Sequence, residues 1–313
     1  MKRTLVALAV VLALSPGGAL GDERTARPVD GVALRFAWPD PLEARVDFRR
    51  TRREPGRPES VFSARFVTRA ARAGERIRIS TRGTSWSGDL PFPPGFADQA
   101  MRASEQVIEV LDARGRFVGL EGVEAMHPVL SKILDLAEVP PDRAERAIEL
   151  ALAAMRSDTE ELWNVQAGFW IGADLEVGET YAMQAEAAVP FLPATRARQE
   201  VRFSARRRVP CAAGETEPRC VELLLRATPE AAAVARVEGE AVAALGPGAR
   251  VDAAEIREVE AEAEALVVAE PATLAPHRLV WTKRLRVVWG TKDGLESVER
   301  EDRSEYAWRY AGR

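Results

Sequence analysis

The sequence predicts an α+β fold: a large, curved, half-barrel-like antiparallel sheet with a central pair of amphipathic helices packed on its apolar face. Three observations predict it. Apolar residues alternate with polar ones at period two along most of the chain, the pattern of strands with one buried face. That period gives way to the helical i, i+3, i+4, i+7 spacing at about 123–163. A sheet with one apolar face must cover that face, and these two helices are the cover the chain supplies.

The strand elements come first. Val32, Leu34, Phe36 and Trp38 alternate with small or charged residues, and so do Ala44, Val46 and Phe48. Phe62, Ala64 and Phe66 fall on one face against Ser63, Arg65 and Arg69, and Ile77 and Ile79 follow between Arg76 and Arg78. Val107 to Leu111 and Arg116 to Leu120 are joined by Asp112-Ala113-Arg114-Gly115, a turn with glycine where positive φ costs little. In the middle, Met126, Val129, Leu130, Ile133 and Leu134 make a helical stripe with Pro128 near its start. Pro140-Pro141 ends that helix, and Asp142 is placed to cap the next. Its stripe is Ala144, Ala147, Ile148, Ala151 and Met155, with a continuation or restart after Ser157-Asp158 toward Leu162-Trp163.

Strands resume after Gly178 with Tyr181, Met183, Ala185, Ala187 and Val189. Over 196–208 Arg196, Arg198, Glu200, Arg202, Arg206 and Arg208 point one way, and Ala197, Val201, Phe203, Ala205 and Val209 point the other. Val221, Leu223 and Leu225 form its partner. Leu279, Trp281, Leu285, Val287 and Trp289 share a face, and Val298, Tyr306, Trp308 and Tyr310 are expected to close the sheet. Over 229–265 Ala241 to Leu245 reads as a short helix, and from Ile256 to Val268 the alternation returns.

Residues 1–21 read as a cleavable signal peptide: Lys2 and Arg3, then an apolar run from Thr4 to Leu14, then Ala19-Leu20-Gly21 before Asp22. The run is roughly half of the ~20 residues that span a bilayer. No cysteine lies near the cut, so no lipid attachment is expected there. The expected product is one β-rich domain, 22–313, in the periplasm or secreted, without a transmembrane segment. Net charge is −4, becoming −6 without Lys2 and Arg3, and gives no pull toward nucleic acid. Cys211 and Cys220, the two cysteines, flank a turn-like stretch and are expected to form a disulfide across a hairpin loop.

The catalytic inventory is poor. The two histidines, His127 and His277, sit at element boundaries beside prolines, where a ring caps or faces water. No nucleophile elbow, zinc-protease, Walker or dinucleotide motif occurs. No catalytic residue, metal ligand or cofactor is therefore assigned; two sulfurs without a neighbouring histidine in sequence leave a metal's shell unfilled. Adjacent acids such as Glu301/Asp302 point to opposite faces of a strand and build no dyad. The arginines of 49–57 and 196–208 read as a solvated sheet face, or else as a contact for an anionic partner. The aromatics are the candidate ligand-binding residues: Trp86, Phe92 and Phe96 in a proline-rich loop over 84–98, and Trp163, Phe169 and Trp170 after the helices.

Sheet, helical insert and export together resemble the periplasmic lipoprotein carriers and related lipid-binding half-barrels. That resemblance implies a concave sheet enclosing helices and an apolar cavity. Trp38-Pro39-Asp40-Pro41 and Asp174-Leu175-Glu176-Val177-Gly178-Glu179 are also similar to stretches of uncharacterised exported bacterial proteins of β-rich build. Two function classes follow. One is a non-enzymatic envelope protein that binds an apolar small molecule, a lipid or another envelope component. The other is an exported hydrolase whose site is assembled from distant strands.

Overall fold

The computed structural model describes residues 30–89, 95–230, 256–291 and 294–311. The expected signal peptide, Phe92 and the stretch 231–255 lie outside the described residues. A short strand β1 (Gly31–Ala33) pairs with β7 (Asp174–Glu176) as a separate two-stranded sheet. The main sheet begins with β2 (Leu42–Arg53), β3 (Ser60–Ala73), β4 (Arg76–Gly88), β5 (Ile108–Asp112) and β6 (Phe117–Glu121), each antiparallel to the one before. A second antiparallel run comprises β8 (Thr180–Val189), β9 (Leu192–Val209), β10 (Cys220–Pro229), β11 (Ile256–Ala269), β12 (Pro276–Thr291) and β13 (Gly294–Tyr310). Pairing of β13 with β2 joins the runs into one open sheet of eleven strands, ordered β6-β5-β4-β3-β2-β13-β12-β11-β10-β9-β8.

The last strand therefore sits at the centre of the sheet and does not close it. Phe48 lies opposite Tyr306 and Val46 opposite Trp308, so the seam is made of large cross-strand pairs. The helices α1 (Ala97–Ser104), α2 (His127–Leu136) and α3 (Pro141–Gln166) occupy the connections between β4 and β5 and between the edge strands β6 and β8. Cross-strand partners share a face. Leu42, Ala44, Val46 and Phe48 are thus continued by Tyr306, Trp308 and Tyr310, by Leu279 and Trp281, by Ala265 and Val267, and by Leu223 and Leu225. This face carries the main core cluster, to which Leu162 and Val165 of α3 and the turn residues Phe169 and Trp170 add their side chains.

Several sequence expectations change. Of the expected strand over 32–38 only Val32 and Ala33 lie in a strand; Leu34, Arg35 and Ala37 donate instead to Ala173, Pro271 and Thr273 carbonyls. α3 starts at Pro141 with Pro140 in the cap position and no side-chain cap, so Asp142 lies inside the first turn. Ser157-Asp158 does not interrupt it, since neither residue removes a backbone donor as proline would. That continuation carries the helix to the sheet: Trp163 packs with Leu42, Ala70, Ile77 and Ile79. α2 buries Val129 against α1, which the sequence reading missed, together with Leu152 and Met155 of α3 and Trp86 of β4. The Cys211–Cys220 disulfide forms as expected, at the β9–β10 loop. No helix among the described residues is long and apolar enough to cross a membrane.

Candidate functional site

α3 lines two cavities with opposite flanks. Leu162, Trp163 and Gln166 face one; Ser157, Glu160, Glu161, Asn164 and Val165 face the other. The spacing of each set is helical, and the two sets are half a turn apart. The volumes are about 330 and 400 Å³, within the rough 300–1,000 Å³ span of small-molecule pockets.

The first, the aromatic cavity, lies over β2 to β5 and β13. Its wall is a row of rings crossing four strands. Trp86 lies 5.9 Å from Phe62, Phe62 5.8 Å from Phe48, Phe48 4.6 Å from Tyr306 and Tyr306 5.5 Å from Trp308. The end wall is Trp38 set edge-on to Trp163 at 5.3 Å, with Phe36 behind at 6.0 Å from Trp163. Trp163 is fixed because its indole Nε1 donates to the Gly115 carbonyl at 2.9 Å. Glu109, on β5, is the lone charged residue lining this cavity among the described residues. It makes no ion pair or side-chain hydrogen bond among the described residues, and burial pushes its carboxyl up to about 7. Burial likewise raises the Tyr306 hydroxyl. Trp38 Nε1 and Thr84 Oγ1, both buried and lining the same space, have no hydrogen-bond partner among the described residues.

The second, the alanine cavity, is lined by Ala185, Ala187, Ala227, Ala263 and Ala265 with Val201 and Leu225. Of its charged lining residues, Arg196 pairs with Glu186 and Glu161 with Lys283, while Glu160 is exposed. Lys283 rises from the apolar face to donate to Glu161 of α3 at 2.8 Å and lies 4.1 Å over the Trp281 ring. Nearby on the same face Arg50 forms a two-pronged pair with Asp302, which holds the guanidinium above its ordinary range.

The expected ligand-binding residues are dispersed by the fold. Trp86 is not in a loop: β4 runs on to Gly88 and pairs Trp86 with Ala64, which puts the ring on the aromatic cavity. Trp163 belongs to the last turns of α3 and lines the same cavity, while Phe169 lines the alanine cavity. Trp170 is wholly buried, 5.1 Å from Phe169. Phe96 is buried at the start of α1 beneath the Lys132 ammonium. Missed as site residues were Phe48, Phe62, Tyr306 and Trp308, which the alternation marks only as core, and Glu109, whose signal is an acid at the apolar phase of Val107 and Leu111.

The remaining polar groups fit bland roles. His127 opens α2, exposed, 3.6 Å from Glu145. His277 is drawn by the fold to within 4.8 Å of both cysteine sulfurs, which are bonded to each other. Its Nε2 lies 3.2 Å from Glu270. Asp302 faces Arg50 while Glu301 binds Arg284, the opposite-face behaviour expected of adjacent strand residues. On the other face of the sheet a groove of about 620 Å³ holds Arg49, Arg65, Arg278, Asp47 and Glu305. Asp47 there pairs with Arg65 at 3.2 Å and Arg309 at 2.8 Å, as on a solvated charged surface.

No protein-family model matches the chain, and no curated protein matches it.

Proposed function

We propose that this is an exported, non-enzymatic protein that binds an apolar or amphiphilic ligand between α3 and the apolar face of a half-barrel-like sheet. The observation that carries the reading is the aromatic cavity. A row of rings that elsewhere would close-pack as core lines about 330 Å³ of space instead. Protein interiors leave few voids larger than a water molecule, so two such spaces on one sheet face favour a binder over a packed scaffold. The alanine cavity adds room for an aliphatic chain, because small side chains on β8 to β11 leave space beneath α3. The charged n-region, the Thr4 to Leu14 run and the disulfide support export.

Displacement of an uncharged fluorescent lipid from purified protein tests this, with native mass spectrometry for co-purified lipid. Thr68→Phe fills the aromatic cavity and Ala263→Phe the alanine cavity. At least one variant is expected to bind several-fold more weakly at an unchanged melting temperature. Probe binding that neither variant alters, or no binding at all, rejects the reading.

A further inference from the structure

We infer that the aromatic cavity takes an amphiphile whose polar end is a protonated or quaternary amine, with Glu109 as its counter-charge. This rests on the ligand-binding reading above. Glu109 occupies a place the fold otherwise reserves for apolar groups. Leu42 pairs with Ala70, Ala70 with Ile79, and Ile79 with Glu109, one row across β2 to β5 whose first three members are buried hydrophobics. Glu109 is half-buried and its carboxyl faces the cavity without an ion-pair partner among the described residues, and burial pushes it up to about 7. An unpaired carboxylate in such a place is costly unless something neutralises it. Among the described residues no Lys, Arg or His lines the cavity, and the guanidinium of nearby Arg50 is committed to Asp302.

The rings point to the same chemistry. The faces of Trp, Tyr and Phe carry negative quadrupole density that attracts cations. Four tryptophans, three phenylalanines and two tyrosines line this one space. Trp38 Nε1 and Thr84 Oγ1 are buried without a hydrogen-bond partner among the described residues, and both line the cavity. They offer a donor and a hydroxyl to polar atoms beside the amine. A fatty-acid carboxylate would instead set a second negative charge beside Glu109 in a medium that screens poorly, a repulsion that selects against it.

The test compares dodecyltrimethylammonium, dodecanol and dodecanoate, each below its micellar or solubility limit, at about pH 8, where Glu109 is ionised. Fluorescence of Trp38, Trp86, Trp163 and Trp308 in the cavity wall and calorimetry report binding. The ammonium is expected to bind about tenfold more tightly than the alcohol, with the carboxylate weakest. Glu109→Gln should abolish the preference while changing dodecanol affinity by less than about twofold. Glu109→Asp, which keeps the charge, should retain it, and Ala263→Phe in the other cavity should not alter it. If dodecanol binds but wild type shows no preference, or Glu109→Gln keeps it, the amine assignment is wrong and the ligand-binding reading stands. If none of the three binds, that reading fails as well.

Discussion

The two cavities share one sheet face and one helix, yet they are built on opposite plans. On the β2–β5 side the alternation delivers Phe48, Phe62, Phe66 and Trp86, and the space is walled by rings. On the β8–β11 side the same alternation delivers Ala185, Ala187, Ala227 and Ala263, and the space exists because those side chains are short. Charge is handled oppositely too. Glu161 on the alanine side is paired with Lys283, whereas Glu109 on the aromatic side is left unpaired. Period two makes a face apolar; residue size and the placement of one carboxyl decide what that face receives. Selectivity is expected on the aromatic side and capacity on the alanine side.

The largest effect is expected where the helix is anchored. Trp163 is 2% exposed, packs edge-on to Phe36 and Trp38, and donates to Gly115. Trp163→Ala should cost about 3–5 kcal/mol in urea unfolding, through the cavity it leaves and the orphaned carbonyl. Phe169→Ala, on the partly exposed ring of the alanine side, should cost distinctly less. Equal losses would show that α3 is held alike on both sides.

The next effect depends on pH. Glu109 has a folded pKa near 7 against 4.5 for the free group, so the folded chain binds the proton more tightly than the unfolded chain. The stability contributed by the neutral carboxyl is full below about pH 4.5 and is lost as pH rises through about 7, some 3 kcal/mol in all. The Tyr306 hydroxyl facing the same cavity is raised further and stays protonated throughout. Glu109→Gln should therefore match wild type near pH 4.5 and exceed it by about 3 kcal/mol above pH 8. Parallel stability curves for the two proteins across that range would remove Glu109 as the difference between the cavities.

Much of this architecture is legible in the sequence, because strand faces are written locally. Phe62, Ala64 and Phe66, the 107–120 hairpin, the strands flanking the disulfide loop and the return of alternation at Ile256 all appear as strands where the pattern puts them. Pairing between distant segments is not local, so the seam of β13 with β2 could not be read, nor the aromatic row that depends on it. Trp86 was hidden by Ser85, Ser87 and Gly88, which suit a loop as well as a strand end. α1, at eight residues, is too short to show a period. His277 lies 57 positions from Cys220, so only the fold reveals their proximity. Among the site residues the sequence flagged aromatics by loop context, but the cavity collects them by strand register.

The smallest effect concerns the tie between helix and sheet, and it separates two accounts of why there are two cavities. Lys283 rises from the apolar face of β12 to Glu161 at 2.8 Å, so α3 is held over the sheet by this ion pair or by the packing of Leu162, Trp163 and Val165. The charged side chains are 21% and 35% exposed, so water screens the attraction and relieves either partner when the other is removed. Contact with the Trp281 ring adds a cation–π term of the same small order. Lys283→Met keeps the aliphatic stem over the ring and deletes the charge. The expected loss is below about 1 kcal/mol, with ligand binding in the aromatic cavity unchanged and little dependence on salt. A loss approaching that of Trp163→Ala, matched in wild type by screening with high salt, would mean that charge rather than packing sets the position of α3. The partition of the face would then follow from Lys283, and the contrast between aromatic and alanine walls would be its consequence.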